Sequence, residues 1–377
     1  MSHQKHTKLK RPQFGQFARK EWAIIGTPCG NLKRIAFGMI KQLSPQYNIG
    51  YIDAEHKETP IDEQNPLFYG AAQVITNKIS NYGIQLHKEP NNFQFRQLFN
   101  DQDLVLVNGN HFKAQQQIVV IDPKKEESLR KKLDRLTDVQ CILIEGEAPI
   151  PDYLKQYLPD LNNIPTFSTN NIDKISNWLN TQLIAAIPEI NGLVLAGGKS
   201  QRMGQDKTGI SYHGKPQREH LMDLLQPFAI SVHLSCRNDQ QDQFKAFSTL
   251  PDKMIDLGPF GAILTAFQHN PEAAWLIVAS DLPNLNKEAI TYLIENRNPS
   301  KLATAFHNTE TGFPDPLLTI WEPKSYPMLL QFLSWGYSCP RKVLINSDIN
   351  EIHPPNKQWL LNVNTPEQLD HYKHKTP

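Results

Sequence analysis

The sequence has no excess of charge of either sign and no long apolar run, and each absence argues against a class of protein. Its 377 residues carry 39 Lys and Arg against 38 Asp and Glu. The strongly basic balance that is usual in nucleic-acid-binding domains is therefore missing. No run of about 18 apolar residues occurs, so no membrane-spanning helix is predicted. We expect neither a nucleic-acid partner nor a membrane partner.

Cysteine is scarce, and the four cysteines lie far apart without a CxxC pair. This pattern predicts neither a zinc site nor a disulfide framework and fits a reducing cytoplasm. The first 20 residues are polar and basic and lack the apolar segment of a secretory signal. We therefore expect a cytoplasmic protein whose residues 1–19 form a basic, flexible tail.

Short apolar runs alternate with amphipathic stretches, which is the pattern of α/β proteins. At roughly 100–200 residues per domain, the length suits two or three domains. A helical pattern ends at Pro188, and a new apolar strand opens at Gly192. The sequence predicts two α/β domains in series, 20–188 and 189–377, each with a largely parallel sheet flanked by helices.

The predicted strands are Trp22–Gly26, Tyr47–Ile52, Leu104–Asn108, Ile118–Ile121, Cys141–Glu145, Gly192–Ala196, Ser231–Ser235, Trp275–Ser280, Ala303–Phe306 and Leu317–Trp321. The predicted helices are Asn31–Leu43, Glu126–Leu136, Ile172–Ile187, Gln217–Leu225, Gly261–His269, Lys287–Asn296 and Tyr326–Trp335. Ligands of parallel α/β sheets sit at the carboxyl ends of the strands, so functional residues are expected there.

The most informative segment follows the strand Gly192–Ala196 and reads LAGGKSQRMGQDK over residues 195–207. Gly197 and Gly198 let backbone N–H groups approach an anion. Ser200 adds a hydroxyl donor, and Arg202 and Lys207 add two cations. Many amides, few obstructing side chains and positive charge together suit a triphosphate. The segment is not a Walker loop: Gly198-Lys199-Ser200 is present, but Leu193 stands where the full pattern GxxxxGK[ST] requires its first Gly.

This segment resembles the signature of the nucleotidyltransferase family that includes molybdenum cofactor guanylyltransferase, roughly LAGGxSxRMGxDK. Related cytidylyl and sugar-phosphate transferases usually carry AAG instead, so the resemblance favours the guanylyl branch. Four later blocks are similar to the family in the expected order: Gly214-Lys215-Pro216, Asp256 with Gly258-Pro259-Phe260-Gly261, the strand ending in Asp281-Leu282-Pro283, and Asn362-Val363-Asn364-Thr365-Pro366-Glu367. The resemblance implies a Rossmann-like nucleotidyltransferase domain from about residue 191 to the end.

Asp281 comes directly after an apolar strand, where a carboxylate is well placed to hold Mg²⁺. The resemblance implies the same metal role and a Mg²⁺-dependent transfer of GMP from GTP to the phosphate of molybdopterin or Mo-molybdopterin. Lys207 and Arg202 are then the catalytic cations, which stabilise the charge on the α-phosphoryl group and on the leaving phosphates.

The expected nucleotide-binding set is Leu195, Ala196, Gly197, Gly198, Ser200, Lys207, Asp256 and Asp281. Asp256 could accept hydrogen bonds from guanine N1–H and its exocyclic amine. The sequence departs from the family at Leu234, where relatives often have an asparagine that touches the nucleotide. Arg237 and Asn238 are candidate substitutes.

The first half weakly resembles the P-loop adaptor protein that accompanies the guanylyltransferase. Gly26-Thr27-Pro28-Cys29-Gly30-Asn31-Leu32-Lys33 joins a strand to a helix, but Asn31 and Leu32 stand where a Walker loop requires Gly-Lys. Asn108 stands where the adaptor family has Glu. We expect a degenerate domain with a docking role, for example toward molybdoenzymes or cofactor-insertion proteins.

Two other interpretations remain open. One is a related transferase that uses CTP or a sugar phosphate. The other is a non-catalytic nucleotide-binding adaptor, which would have no need of Lys207 and Asp281 as charge stabilisers. Fold alone does not decide among the three.

Overall fold

The structure is a computed structural model that describes residues 16–55, 60–196 and 207–375. It divides into two compact units, Met1–Ala185 and Ala186–Pro377. Both units are α/β, with sheets flanked by helices. Within the described ranges no helix has the length and apolar character needed to cross a bilayer.

The first unit contains a six-stranded sheet and a separate hairpin. Its strands are β1 (Glu21–Ile25), β2 (Ile49–Ile52), β3 (Gln73–Asn77), β4 (Tyr82–Leu86), β5 (Leu104–Asn108), β6 (Gln116–Ile121), β7 (Val139–Ile144) and β8 (Thr166–Ser168). Its helices are α1 (Cys29–Leu43), α2 (Asn92–Leu98), α3 (Glu126–Arg130), α4 (Asp152–Tyr157) and α5 (Ile172–Ala185).

The large sheet of the first unit has the order β2-β5-β1-β6-β7-β8, and every neighbouring pair is parallel. Parallel sheets are covered on both faces, so their strands read as continuous apolar runs. β1 and β5 are buried along their whole length. α1 and α5 pack against the sheet through the buried residues Leu32, Ile35, Met39, Ile175 and Leu179. The largely parallel sheet expected here is confirmed.

The hairpin of β3 and β4 forms its own two-stranded antiparallel sheet. The sequence analysis did not predict it, because neither strand buries a face. Ile75, Tyr82 and Ile84 are exposed on it. Strand prediction relies on an apolar run or on an alternating pattern with one buried face, and this segment offers neither clearly.

The end of the expected tail, residues 16–19, is packed into the first unit. Phe17 is fully buried and makes edge-on ring contacts with Phe95 and Phe112. The buried carboxylate of Glu21 accepts hydrogen bonds from the backbone N–H groups of Phe17 and Ala18. This part of the tail prediction is wrong, since one aromatic anchor and one buried acceptor order the segment. Residues 1–15 of the predicted tail lie outside the described residues.

The second unit is a seven-stranded sheet between two helical layers. Its strands are β9 (Ile190–Leu195), β10 (Ser231–Cys236), β11 (Thr249–Pro251), β12 (Ala274–Ala279), β13 (Ala303–Asn308), β14 (Phe313–Trp321) and β15 (Asn350–Ile352). Its helices are α6 (Gln217–Leu225), α7 (Pro259–His269), α8 (Lys287–Glu295), α9 (Ser325–Ser334), α10 (Pro340–Ile345) and α11 (Pro366–Lys375).

The sheet order of the second unit is β11-β10-β9-β12-β14-β13-β15. Only β14 is antiparallel to its neighbours among these strands. One core cluster joins the sheet to α6 and α8, and a second joins its other face to α7, α9 and α10. This double covering keeps β9 and β12 in the interior, so their carboxyl ends meet at one edge.

Each strand predicted from the sequence is present; β5 has the predicted ends, and the other strands differ at one or both ends. The predicted helix Glu126–Leu136 is wrong in its length: α3 ends at Arg130, and a short 3₁₀ turn, Leu133–Arg135, follows. Nothing in the sequence marks this break, because Lys131 and Lys132 are good helix formers.

Candidate functional site

The carboxyl end of β9 leads into the predicted phosphate loop. Leu195 is half-buried, and Ala196 is 4% exposed and donates its backbone N–H to Ser235 O at 3.0 Å. These contacts hold the last two residues before the loop against β10. Gly197, Gly198, Ser200 and Arg202 lie outside the described residues. Lys207 begins a 3₁₀ turn, Lys207–Gly209, and its side chain is likewise outside the described part.

Asp281 lies at the same edge of the sheet as Leu195. β12 runs parallel to β9 with Ala279 opposite Leu195, and Asp281 follows two residues later. It is half-buried, and its backbone carbonyl accepts a 3.0 Å hydrogen bond from Val363 N. The structure therefore brings Leu195, Ala196 and Asp281 together at the ends of adjacent strands. It also brings the Asn362–Glu367 block to this edge.

Among the described residues, no three His, Cys, Asp or Glu side chains are grouped so that they could hold a metal. A single carboxylate such as Asp281 nevertheless suits Mg²⁺, which protein sites usually hold through one or two carboxylates plus substrate phosphates and water. The donor chemistry at Asp281 therefore fits a magnesium ion that arrives with a nucleotide, and does not resemble a preformed zinc site.

Asp256 lies in an exposed turn with a φ of 62°, beyond the end of β11. Asp252, which directly follows β11, lies at the sheet edge together with Asp281. Its backbone N–H donates to Cys236 O at 2.8 Å, and its Oδ1 accepts from Ser235 Oγ at 3.1 Å. Because Ser235 pairs with Leu195, Asp252 is linked to the strand end that precedes the loop. The sequence analysis missed Asp252, because the short strand that it follows, β11, was not predicted.

Burial raises the pKa of Asp252, while the hydrogen bond from Ser235 and the charge of Arg237 lower it; the first effect is larger. Because burial disfavours the charged form of this carboxylate, any further hydrogen-bond donor that a ligand brings would stabilise that form.

The side chain of Leu234 is fully buried in the core cluster that contains Val194 and Leu276. Successive strand side chains point to opposite faces, so Leu234 and Ser235 serve different sides of the sheet. Leu234 provides a packing contact and has no polar atom to offer a nucleotide. Arg237, a candidate substitute, pairs through Nε and Nη2 with Asp239 at 2.9 Å.

The carboxyl edge of the first unit carries a polar network instead of an open loop. Thr27 Oγ1 donates to Asp122 Oδ2 at 2.7 Å, and both residues are buried. Asn31 Nδ2 lies within 2.9 Å of both Thr27 Oγ1 and Glu145 Oε2. Asn31, which stands where a Walker loop has Gly, thus ties the start of α1 to the ends of two strands.

A second group of contacts at this edge surrounds Asp53. Asp53 accepts from Asn108 Nδ2 at 2.5 Å and from Tyr51 Oη at 3.0 Å, and it lies 3.2 Å from Lys33 Nζ. Burial alone raises the pKa of Asp53, but hydrogen bonds from Asn108, the Ala54 amide, Lys33 and Tyr51 together hold that pKa below its usual value. Asn108, which departs from the adaptor family's Glu, therefore satisfies a carboxylate within the same unit.

In the second unit, a parallel α/β sheet presents a glycine-rich basic segment after β9 and a carboxylate after the adjacent strand. This arrangement places it in the class of nucleotidyltransferases. The family profile described as the MobA-like NTP transferase domain matches residues 192–348.

Relatives support the same family. "Probable molybdenum cofactor guanylyltransferase" from Carboxydothermus hydrogenoformans is 31% identical over 187 residues, covering 47% of this chain and 91% of that protein. "Molybdenum cofactor biosynthesis bifunctional protein" from Synechocystis is 37% identical over 178 residues, covering 47% of this chain and 51% of that protein. The chain thus spans about half the length of the Synechocystis relative. The chain belongs to the MobA-like NTP transferase family.

A solved structure titled as molybdopterin-guanine dinucleotide biosynthesis protein A from Archaeoglobus fulgidus covers 49% of this chain and 97% of its own. Its sequence identity is 20% and its TM-score is 0.42. The family assignment does not depend on it.

Proposed function

We propose that the chain transfers GMP from GTP to the terminal phosphate of molybdopterin or Mo-molybdopterin. A phosphate oxygen of the acceptor forms a bond to the α-phosphorus of GTP, the bond from that phosphorus to the α–β bridging oxygen breaks, and pyrophosphate leaves with the electron pair. The observation that carries the proposal is the position of Asp281 beside the strand end that opens the LAGGKSQRMGQDK segment. Relatives named molybdenum cofactor guanylyltransferase support the choice of substrates.

In this proposal Asp281 is the ligand for Mg²⁺, which supplies charge neutralisation at the phosphates when bound. Asp281 would hold the ion through its carboxylate at the edge of the sheet. The segment after β9 supplies backbone N–H groups from Gly197 and Gly198 and the hydroxyl of Ser200 to the phosphates. Lys207 stabilises the charge that builds on the α-phosphoryl oxygens, and Arg202 neutralises the leaving phosphates. No covalent nucleophile is required, because the acceptor phosphate is already an anion.

We propose that the guanine base is recognised by the backbone of Leu195, Ala196 and Gly197 and by an acidic side chain. Asp252 takes the acceptor role that the sequence suggested for Asp256. It lies at the sheet edge, and its half-buried carboxylate can accept from both N1–H and the exocyclic amine of guanine. Asp256 remains the alternative acceptor.

For the first unit, which contains most of the predicted domain 20–188, we propose a docking role without nucleotide hydrolysis. Its polar edge groups hydrogen-bond one another, as the Thr27–Asp122 and Asn31–Glu145 contacts exemplify. Molybdoenzymes or cofactor-insertion proteins are the proposed partners.

The function is tested by incubating the purified chain with Mg²⁺, a molybdopterin-type acceptor and either GTP or CTP, with product detection by mass. The proposal predicts a guanine dinucleotide from the wild type and little from Asp281→Asn. A cytosine dinucleotide would keep the chemistry and overturn the choice of base. Nucleotide binding without any product would instead support the non-catalytic adaptor interpretation.

A further inference from the structure

The turn that carries Asp281 is anchored at four successive residues. The contacts are Val363 N to Asp281 O at 3.0 Å, Gln217 Nε2 to Leu282 O at 3.1 Å, His213 Nε2 with Pro283 O at 2.8 Å, and Tyr372 Oη to Asn284 Oδ1 at 2.9 Å. Two of the four anchors, His213 and Gln217, lie between the 3₁₀ turn Lys207–Gly209 and the first residue of α6, which is Gln217 itself. The residues that directly follow the LAGGKSQRMGQDK segment thus hold the turn that carries Asp281.

Gln217 is the most unusual of these anchors. It is the first residue of α6 and is 0% exposed. Its Nε2 donates to Leu282 O, whereas its buried Oε1 has no hydrogen-bond partner among the described residues. A buried amide oxygen without a partner is costly, and an apolar side chain of similar shape would avoid that cost. Folding alone therefore gains little from an amide at this position.

The contact to Leu282 restrains the backbone directly after Asp281. Val363 N holds the carbonyl of Asp281, and Gln217 holds the carbonyl of Leu282, so both peptide units that follow the Asp281 Cα are restrained. A carboxylate on a restrained turn is already near the geometry that a metal requires, whereas one on a loose turn must be ordered when the metal binds.

We infer, on the basis of the proposed function, that Gln217 is a positioning residue for the metal-binding carboxylate. It touches neither metal nor nucleotide, and acts by holding Leu282 so that Asp281 faces the nucleotide site. Loss of a group that orients a metal ligand typically costs about 10–100-fold in metal affinity or activity. Removing the Gln217 amide should therefore weaken metal binding while leaving the fold intact.

The test compares Gln217→Leu and Gln217→Met with the wild-type chain. Gln226→Leu serves as the matched control, because Gln226 is exposed just beyond the other end of α6. Binding of Mn²⁺ to the complex of protein and GTP is measured by electron paramagnetic resonance, with Mn²⁺ and GTP without protein as the baseline, because GTP itself binds the ion. The melting temperature is recorded for each variant, and the KM for GTP is obtained from dinucleotide formation.

We expect both Gln217 variants to bind Mn²⁺ at least about tenfold more weakly. Their melting temperatures should equal or exceed that of the wild type, and their KM for GTP should change less than about twofold, because the triphosphate segment is untouched. Gln226→Leu should match the wild type in every measurement. Unchanged Mn²⁺ affinity would overturn the inference. A loss of affinity that follows a falling melting temperature in both variants would also overturn it, since Gln217 would then be merely structural.

The same experiment separates this inference from the proposed function. A wild type that binds Mn²⁺ with GTP but forms no guanine dinucleotide contradicts the function, and the affinities of the variants still decide the role of Gln217. A wild type that forms the product, together with variants that bind Mn²⁺ normally, contradicts only the positioning role.

Discussion

The two units carry different groups at the carboxyl edges of their parallel strands. In the first unit, the side chains at this edge hydrogen-bond one another: Thr27 with Asp122, Asn31 with Glu145, and Asn108 with Asp53. In the second unit, strand ends carry a glycine-rich basic segment and a half-buried carboxylate at Asp281. Two similar architectures therefore carry different polar groups at the same edge of the sheet.

The pKa values of carboxyl groups at the two edges are shifted in different directions. Hydrogen bonds from neighbours outweigh burial and lower the pKa of Asp53, and hydrogen bonds from Thr169 and Asn31 lower that of Glu145. Burial dominates at Asp252 and raises its pKa. The carboxylates of the first unit are stabilised by their own fold, whereas Asp252 is a charge that a ligand donor would stabilise further.

The largest expected effect is on turnover, and it is tested by replacing one lysine in each unit with alanine. Lys207→Ala should lower turnover by about 10²–10³, the usual cost of removing one well-placed group that stabilises charge in the transition state. Lys33→Ala should change turnover less than twofold, because its partly exposed ion pair with Asp53 serves the first unit alone. Steady-state GMP transfer measures both. A Lys207→Ala loss below tenfold would remove Lys207 from the mechanism.

Base selectivity offers the next test. Asp252→Asn should raise the KM for GTP by about 10–100-fold, since a hydrogen bond to a charged group contributes about 1.5–3 kcal/mol. The preference for GTP over ITP, which lacks the exocyclic amine, should also fall in the Asp252→Asn variant. Asp256→Asn should have the smaller effect, and the reverse order of the two variants would restore Asp256 as the acceptor.

Two glycines near the carboxyl edge of the first unit test whether the turn after β1 is constrained by the fold. Gly26 has a φ of 101°, and a Cβ there would lie 2.3 Å from Val120 O, so Gly26→Ala should destabilise β1 by about 1–3 kcal/mol. Gly30 has open space and lies in α1, so Gly30→Ala should stabilise by up to about 1 kcal/mol. Hydrogen exchange of first-unit peptides measures both, and GMP transfer should not change. Equal stabilities would show that the turn after β1 is not constrained.

The smallest effect concerns pH and has opposite signs in the two units. The lowered pKa of Asp53 means that its charge stabilises the fold above the unfolded pKa, and that this contribution is lost as the pH falls through the folded value. Asp53→Asn should therefore destabilise the first unit at pH 7. The raised pKa of Asp252 means that its charge opposes folding at pH 7, so Asp252→Asn should stabilise the second unit. Hydrogen exchange at pH 7 measures the stability of each unit. If the two variants change these stabilities in the same direction, the contrast between the units is contradicted.

The order of strands and helices was predictable where apolar runs are buried on both faces, and β5 has the predicted bounds. The hairpin of β3 and β4 was not, because it buries no face. The start of β14 was missed because Pro314 and Pro316 argue against a strand, although the strand extends back to Phe313. At the site, the sequence indicated Asp281 directly. The identification of Asp252 depends on the pairing of β10 with β11, and that of Gln217 depends on a tertiary contact. No local sequence pattern encodes either one.

The most direct test of the account is hydrogen exchange of the whole chain with and without GTP and Mg²⁺. The account predicts protection of peptides around residues 193–196, 207–212 and 279–285 in the second unit, with no change around residues 26–33 in the first. Protection of residues 26–33, without protection of the second unit, would contradict it.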